Sequence, residues 1–109
     1  MKNDNKFTRG SKNVFADLGF ADAEERQTKL RLAYAINLIL EEQGLTQAQA
    51  ARVLDATQPK VSSLAHYKLD GFSVERLMTY LTALDRDVQI VIKKKPRSRL
   101  SGRISVEAV

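Results

Sequence analysis

The residues best suited to chemistry lie between Gln47 and Tyr67, where two short helical patterns are joined by a tight turn. On a helical wheel, the second pattern turns Val61, Leu64 and Ala65 inward and its polar residues outward. The outward face is short and nearly free of acids, as expected of a helix that enters the major groove of DNA. Glutamine can read adenine there, serine several bases, and lysine guanine or phosphate. Pro59, Ser62, Ser63 and His66 point outward, Lys60 and Tyr67 lie on the flanks, and Gln58 projects from the exposed first turn.

The two patterns also predict contacts with the DNA backbone. Thr46 is a candidate N-cap and Gln47 the first residue of the first short helix, where free backbone N–H groups and the helix dipole favour a phosphate. Thr57 is the candidate N-cap of the second, and Pro59 in its first turn removes no hydrogen bond. Ala51 is small enough for the two helices to cross closely, as a helix-turn-helix requires. The predicted DNA-binding set is Thr46, Gln47, Thr57, Gln58, Lys60, Ser62, Ser63 and, in the loop that follows, Lys68.

Four helices are predicted to position this set, in a mainly α fold. The first begins after an N-cap at Asp22, runs to about Gln43 and ends at Gly44, a typical residue just past a helix end. The other three begin at Thr or Ser caps and carry apolar residues at helical spacing. They cover Gln47–Leu54, residues 58–67, and a stretch after Ser73.

The predicted first helix is apolar on two sides. Its core stripe is Leu32, Ile36 and Ile39, and its second stripe is Leu30, Tyr34 and Leu38, spaced i, i+4, i+8. Residues 13–20 carry four apolar side chains and should dock on something. We expect them to cover the second stripe; the alternative is that the stripe contacts a second copy or a partner protein.

After Asp85 the apolar period changes to two, which predicts a single β-strand over residues 87–94. One strand cannot satisfy its own backbone hydrogen bonds, so it should pair with a copy in a second subunit or with an extended N-terminal segment. Because twofold dimers are the commonest oligomers, we favour a two-stranded ribbon across a homodimer. The predicted dimer interface is Val88, Ile90 and Ile92.

The net charge of +5 is concentrated at the C-terminus. Residues 1–92 hold 12 basic and 12 acidic side chains, whereas residues 93–109 hold 6 basic and 1 acidic. The composition predicts a flexible N-terminal tail over residues 1–12, a folded domain over 13–94, and a basic flexible tail over 95–109. The predicted base-reading helix therefore lies in a charge-neutral domain.

Several functional classes are excluded by composition. The chain has no Cys and a single His, and it lacks a glycine-rich phosphate loop, so we predict no enzyme activity, no cofactor and no metal site. The most apolar stretch, residues 33–40, is far too short to cross a bilayer, and no signal peptide precedes it. These features predict a soluble cytoplasmic protein.

A family resemblance rests on two adjacent segments, LTQAQAARVL at 45–54 and QPKVS at 58–62. They resemble the Xre/Cro, lambda-repressor type of helix-turn-helix. Three flanking segments narrow the resemblance to the HigA-like antitoxin branch and extend it over about residues 13–94. These segments are NVFADLGF at 13–20, GFSVERLM at 71–78 and DVQI at 87–90.

The resemblance implies a lambda-repressor-like four-helix bundle with one C-terminal strand. It also implies a dimeric repressor that binds a double-stranded DNA operator and is often encoded beside a RelE/HigB-like ribonuclease toxin that it neutralises. By the same resemblance, Gln47 faces a phosphate, and the positions that face DNA are Thr57, Gln58, Lys60 and Ser62. The sequence departs from the family at Asp55, where the turn usually has Gly, and at residues 65–67, where a basic residue and then Gly are usual.

The main alternative is an interaction module that uses this fold without reading DNA. Such a module would bind a partner protein through residues 13–20 and the second stripe of the first helix. A module that does not bind DNA gives no physical reason for the absence of acidic side chains around Gln58 and Lys60. Their absence therefore favours the repressor.

Overall fold

The computed structural model describes residues 14–108, with side chains from Asp22 onward. It contains four helices: α1 (Val14–Glu42), α2 (Gln47–Leu54), α3 (Gln58–Ala65) and α4 (Val74–Ala83). The mainly helical fold is confirmed. The tail predicted over residues 1–12 lies outside the described residues.

Helix α1 is longer than predicted at its N-terminal end. It begins at Val14, so Asp22 lies inside the helix, where its carboxylate pairs with Arg26 at 3.2 Å instead of capping it. A single internal glycine, Gly19, costs only about 1 kcal/mol of helix propensity, which a long helix tolerates. The predicted docking of residues 13–20 on the second stripe is wrong, because residues 14–20 continue the helix that carries the stripe.

Helix α1 ends at Glu42, and Gly44 is confirmed as the residue that stops it just past this end. Gly44 has a φ of +64°, which a residue without a Cβ adopts at no steric cost. Its N–H donates to the Glu41 carbonyl at 3.1 Å, and the Leu45 N–H donates to the Leu40 carbonyl at 3.2 Å. This pair of bonds is a Schellman motif, which satisfies the last carbonyls of the helix and turns the chain toward α2.

The core lies where α1 packs against α4 and where α2 crosses α3. Ile36, Leu64 and Leu77 are its largest fully buried side chains. Burying a side chain of this size stabilises the fold by about 1.5–3 kcal/mol. Phe72 and Tyr80 extend the core with an edge-to-face contact, their ring centroids 6.1 Å apart.

The strand predicted over residues 87–94 is not found. Within residues 14–108 this segment forms no ladder of backbone hydrogen bonds with any other. The physical reason is that a strand needs a neighbour, and one chain offers this segment none. Val88 is half-buried against its own core, whereas Ile90 and Ile92 are 75% and 93% exposed.

The predicted basic tail returns to α1. Its described part has no helix or strand. Within it, the Lys95 ammonium donates to the Arg99 carbonyl at 2.8 Å. Farther along, the Ile104 N–H donates to the Glu24 carboxylate at 3.3 Å, and Val106 packs half-buried against the core. The flexibility of the tail stays a prediction.

None of the helices within residues 14–108 has the length and apolar character needed to cross a membrane.

Candidate nucleic-acid interface

The α2–α3 unit has the compact crossing that the sequence predicts. Ala50, Ala51 and Leu54 of α2 are buried in one cluster with Val61 and Leu64 of α3. Because these residues are small or aliphatic, the two short helices cross closely and α3 has one fixed orientation on the domain. Ala65 is exposed, so its predicted inward position is wrong.

The turn between the two helices is made by Asp55. Its φ of +54° and ψ of +49° are left-handed, and its N–H donates to the Arg52 carbonyl at 3.3 Å. The Ala56 N–H donates to the Ala51 carbonyl at 2.9 Å, which completes the end of α2. A short polar side chain tolerates this conformation better than most others do, so Asp serves where the family usually has Gly.

A reciprocal capping box begins α2. The Thr46 hydroxyl accepts from the Gln49 N–H at 3.1 Å, and the Gln49 side-chain oxygen accepts from the Thr46 N–H at 2.9 Å. Gln47 is exposed in the first turn, which contains no acidic residue. The N–H groups of a first turn have no acceptor within the helix, so this end of α2 attracts an anion.

The first turn of α3 is also capped and acid-free. The Thr57 hydroxyl accepts from the Lys60 N–H at 3.3 Å, and Pro59 follows in the first turn. Gln58 is exposed, while Ser62 and Ser63 are half-buried. Gln58 and Ser62 are four residues apart and therefore lie on one face of α3.

Lys60 occupies a position that its sequence pattern does not predict. Its ammonium donates to the Gly71 carbonyl at 2.9 Å and lies 4.7 Å from the centre of the Phe72 ring, a cation–π contact. The side chain is therefore directed toward the loop between α3 and α4. Lys60 is thus a predicted DNA-binding residue whose charged group already has a partner within residues 14–108.

The C-terminal end of α3 is shorter than predicted. The helix ends at Ala65, because Tyr67 adopts a φ of +58° and the Lys68 N–H donates back to the Ser63 carbonyl at 2.8 Å. The His66 Nδ1–H donates to the Ser62 carbonyl, 2.8 Å away. Lys68 is exposed just after this end. The members of the predicted set from Thr57 to Lys68 therefore extend along α3, which is about 12 Å long.

Two residues that the sequence analysis missed contribute to the site. The Asn37 side-chain amide on α1 donates to the Leu64 carbonyl at 3.0 Å and so anchors the end of α3. Arg76 lies in the first turn of α4 and lines a groove of about 450 Å³ together with Thr57 and Lys60. A basic residue near a helix N-terminus opposes the helix dipole, and this mismatch is the signal that could have identified Arg76.

Comparisons with known proteins are consistent with this geometry. A family model described as "Helix-turn-helix domain" matches residues 14–93. The chain is also similar to a solved structure described as an XRE-family transcriptional regulator, with 67% sequence identity and a TM-score of 0.78. That match covers 81% of this chain and 99% of the other. Among curated protein sequences, none matches this chain.

Proposed function

The chain belongs to the XRE helix-turn-helix family of DNA-binding transcriptional regulators, and we propose that it is a repressor that recognises a specific double-stranded operator with α3. The observation that carries this proposal is the exposed, acid-free first turn of α3, fixed by the Thr57 cap on one side and buried Val61 on the other. A helix presented in this way can place Gln58 against the edges of bases in the major groove.

Each predicted residue has a role in this proposal. Gln58, Ser62 and Ser63 read bases, because they lie on the polar side of α3, where Gln58 is exposed and the two serines are half-buried. The capped N-terminus of α2, at Thr46 and Gln47, receives a phosphate. Further contacts with the DNA backbone come from Thr57 at the start of α3 and from Lys68 after its end.

Lys60 reaches DNA only after its ammonium leaves the Gly71 carbonyl and the Phe72 ring. The side chain is exposed, so this change is a rotation of the side chain and leaves the backbone of α3 in place. A phosphate or guanine then replaces the carbonyl as the acceptor.

A homodimer, with Ile90 and Ile92 at its interface, belongs to the same proposal. Both side chains are largely exposed on a segment with a strand-like pattern, which supports pairing of residues 87–94 with the same segment of a second copy. Val88 contributes less than the sequence predicts, because it already packs on its own core. Two copies would present two α3 helices to two half-sites.

The antitoxin role is the most specific part of the proposal, and it rests on the resemblance of residues 13–20, 71–78 and 87–90 to the HigA-like branch. In this role the protein neutralises a RelE/HigB-like toxin and represses its own operon. If the role is correct, a neighbouring reading frame encodes a small ribonuclease whose expression stops growth unless this chain is present. A neighbouring gene product that is harmless when expressed alone would contradict the role.

A second candidate function, a protein-interaction module that does not read DNA, is favoured by the exposed stripe on α1, where Tyr34 is 61% exposed. Selection from a pool of randomised DNA duplexes separates the two functions. A repressor enriches one consensus, with two related half-sites if it binds as a dimer. An interaction module enriches no consensus over the starting pool at the same salt concentration.

A further inference from the structure

One face of α1 carries a row of apolar side chains that point away from the core. Leu30, Tyr34 and Leu38 are 45%, 61% and 43% exposed, although Ile36 on the opposite face is fully buried. Their spacing of four residues places them in one continuous row along the helix. Scattered exposed apolar residues need no explanation, but a contiguous row on a regular helix indicates a contact surface.

The charged side chains nearest the two ends of this row, on the same side of the helix, differ in sign. Arg26 and Arg31 lie near Leu30, and both are exposed. Glu41 and Glu42 lie beyond Leu38 and are also exposed, and residues 32–40 contain no charged side chain. Arg26 pairs with Asp22 in a contact that is 70% and 61% exposed. Such a surface pair is weak, so Arg26 can exchange its partner.

We propose that this row docks on the same row of a second copy, with the two α1 helices antiparallel about a twofold axis at Tyr34. In that register Leu30 of one copy faces Leu38 of the other, and Tyr34 faces Tyr34. Arg26 faces Glu42, so the charges at both ends are complementary. Parallel helices would instead place Glu beside Glu and Arg beside Arg.

A second copy fits this surface because the row is symmetric about its own centre. A twofold interface requires a surface that is complementary to itself after rotation, and the order Leu, Tyr, Leu with basic and acidic ends meets that condition. The contact is separate from the pairing proposed for residues 87–94. A protein that uses both about perpendicular axes assembles as a tetramer.

Single-cysteine variants test this contact directly, because the natural chain contains no Cys. Packed helices lie about 8–10 Å apart, which leaves facing Cα atoms close enough for a disulfide. The full-length Tyr34→Cys protein should therefore form a disulfide-linked dimer under mild oxidation. Val53→Cys is the matched control, because Val53 on α2 is 43% exposed and lies outside the row. Equal cross-linking of the two variants would overturn the proposal.

A mixing experiment tests the antiparallel register. Leu30→Cys and Leu38→Cys proteins, distinguished by tags of different mass, should cross-link to each other at least several times more than each does to itself. Self-links that match or exceed the mixed links would overturn the register. The inference goes beyond the DNA-binding function and is tested without DNA, so a failure here leaves operator recognition by α3 standing.

Discussion

Asp55 shows how a single residue adapts this fold. It occupies a left-handed turn, with a φ of +54°, between the two helices of the DNA-binding unit. Only glycine adopts this conformation without steric cost, and for other residues the cost is roughly 1–2 kcal/mol, reduced for Asp and Asn by local hydrogen bonding. The sequence identifies Asp55 as the departure from the usual Gly, and the structure confirms that the turn is still made.

Replacing Asp55 by Gly should therefore raise the free energy of unfolding by about 0.5–1 kcal/mol, since relief of the left-handed strain exceeds the added entropy of the unfolded chain. Urea unfolding at one fixed protein concentration measures the change. The matched control is Asp87→Gly, at an exposed position without a positive φ, which should not stabilise. A loss of stability in Asp55→Gly equal to that in the control would contradict this account.

At the scale of elements, local signals predict three of the four helices well. Thr46, Thr57 and Ser73 each accept the hydrogen bond expected of an N-cap, and Gly44 ends α1 as predicted. These features depend on neighbours in the sequence, so the sequence is enough to find them. The N-terminal start of α1 is not predicted. Asp22 is a residue type that often caps helices, but here the helix begins earlier, at Val14, and continues through it.

Other features depend on contacts between distant segments and could not be predicted. The bond of Asn37 to the Leu64 carbonyl joins residues 27 positions apart. The Lys60 ammonium finds its acceptor at Gly71, in a loop whose path depends on the packing of α4. The strand predicted over residues 87–94 is wrong for the described residues, because an apolar period of two forms a strand only beside a neighbouring segment, and one chain supplies none.

The proposed pairing of residues 87–94 is tested by Ile90→Asp. A carboxylate at this 75% exposed position places two like charges in the proposed ribbon, so it should yield monomers or remove one association step and weaken operator binding. Analytical sedimentation measures the oligomeric state of the variant. The control is Gln89→Asp, the neighbour on the other side of the segment, which should retain the assembly. An unchanged assembly for Ile90→Asp would place the interface elsewhere.

At the scale of the whole molecule, the basic excess and the residues proposed to read bases lie in different parts of the chain. The basic excess lies in residues 93–109, while the residues proposed to read bases lie on α3 within a charge-neutral domain. Part of the tail is tied to α1 through the Glu24 carboxylate, and Val106 packs against the core. The tail should therefore add nonspecific attraction to phosphates without choosing the sequence.

Neutralising Arg97, Arg99 and Arg103 as Gln keeps the length of the tail and the packing of Val106. The slope of log affinity against log salt should become shallower by up to about 0.9 for each phosphate contact that is lost, while the preference for operator over random duplex stays the same. Filter binding or fluorescence anisotropy over a salt series measures both. If the triple variant lost its sequence preference, the tail would have to contact bases.

The central claim is that α3 reads the operator, and the most direct test is the affinity of the Gln58→Ala/Lys60→Ala double variant for the selected operator at fixed salt. Neither side chain is buried, so circular dichroism and sedimentation should match those of the unsubstituted protein. Gln43→Ala/Lys95→Ala removes the same two groups at exposed positions outside α3 and outside residues 87–94, and serves as the control. The account predicts that the Gln58/Lys60 variant loses its preference for operator over random duplex while the control keeps it. Unchanged operator affinity in the Gln58/Lys60 variant would contradict the account.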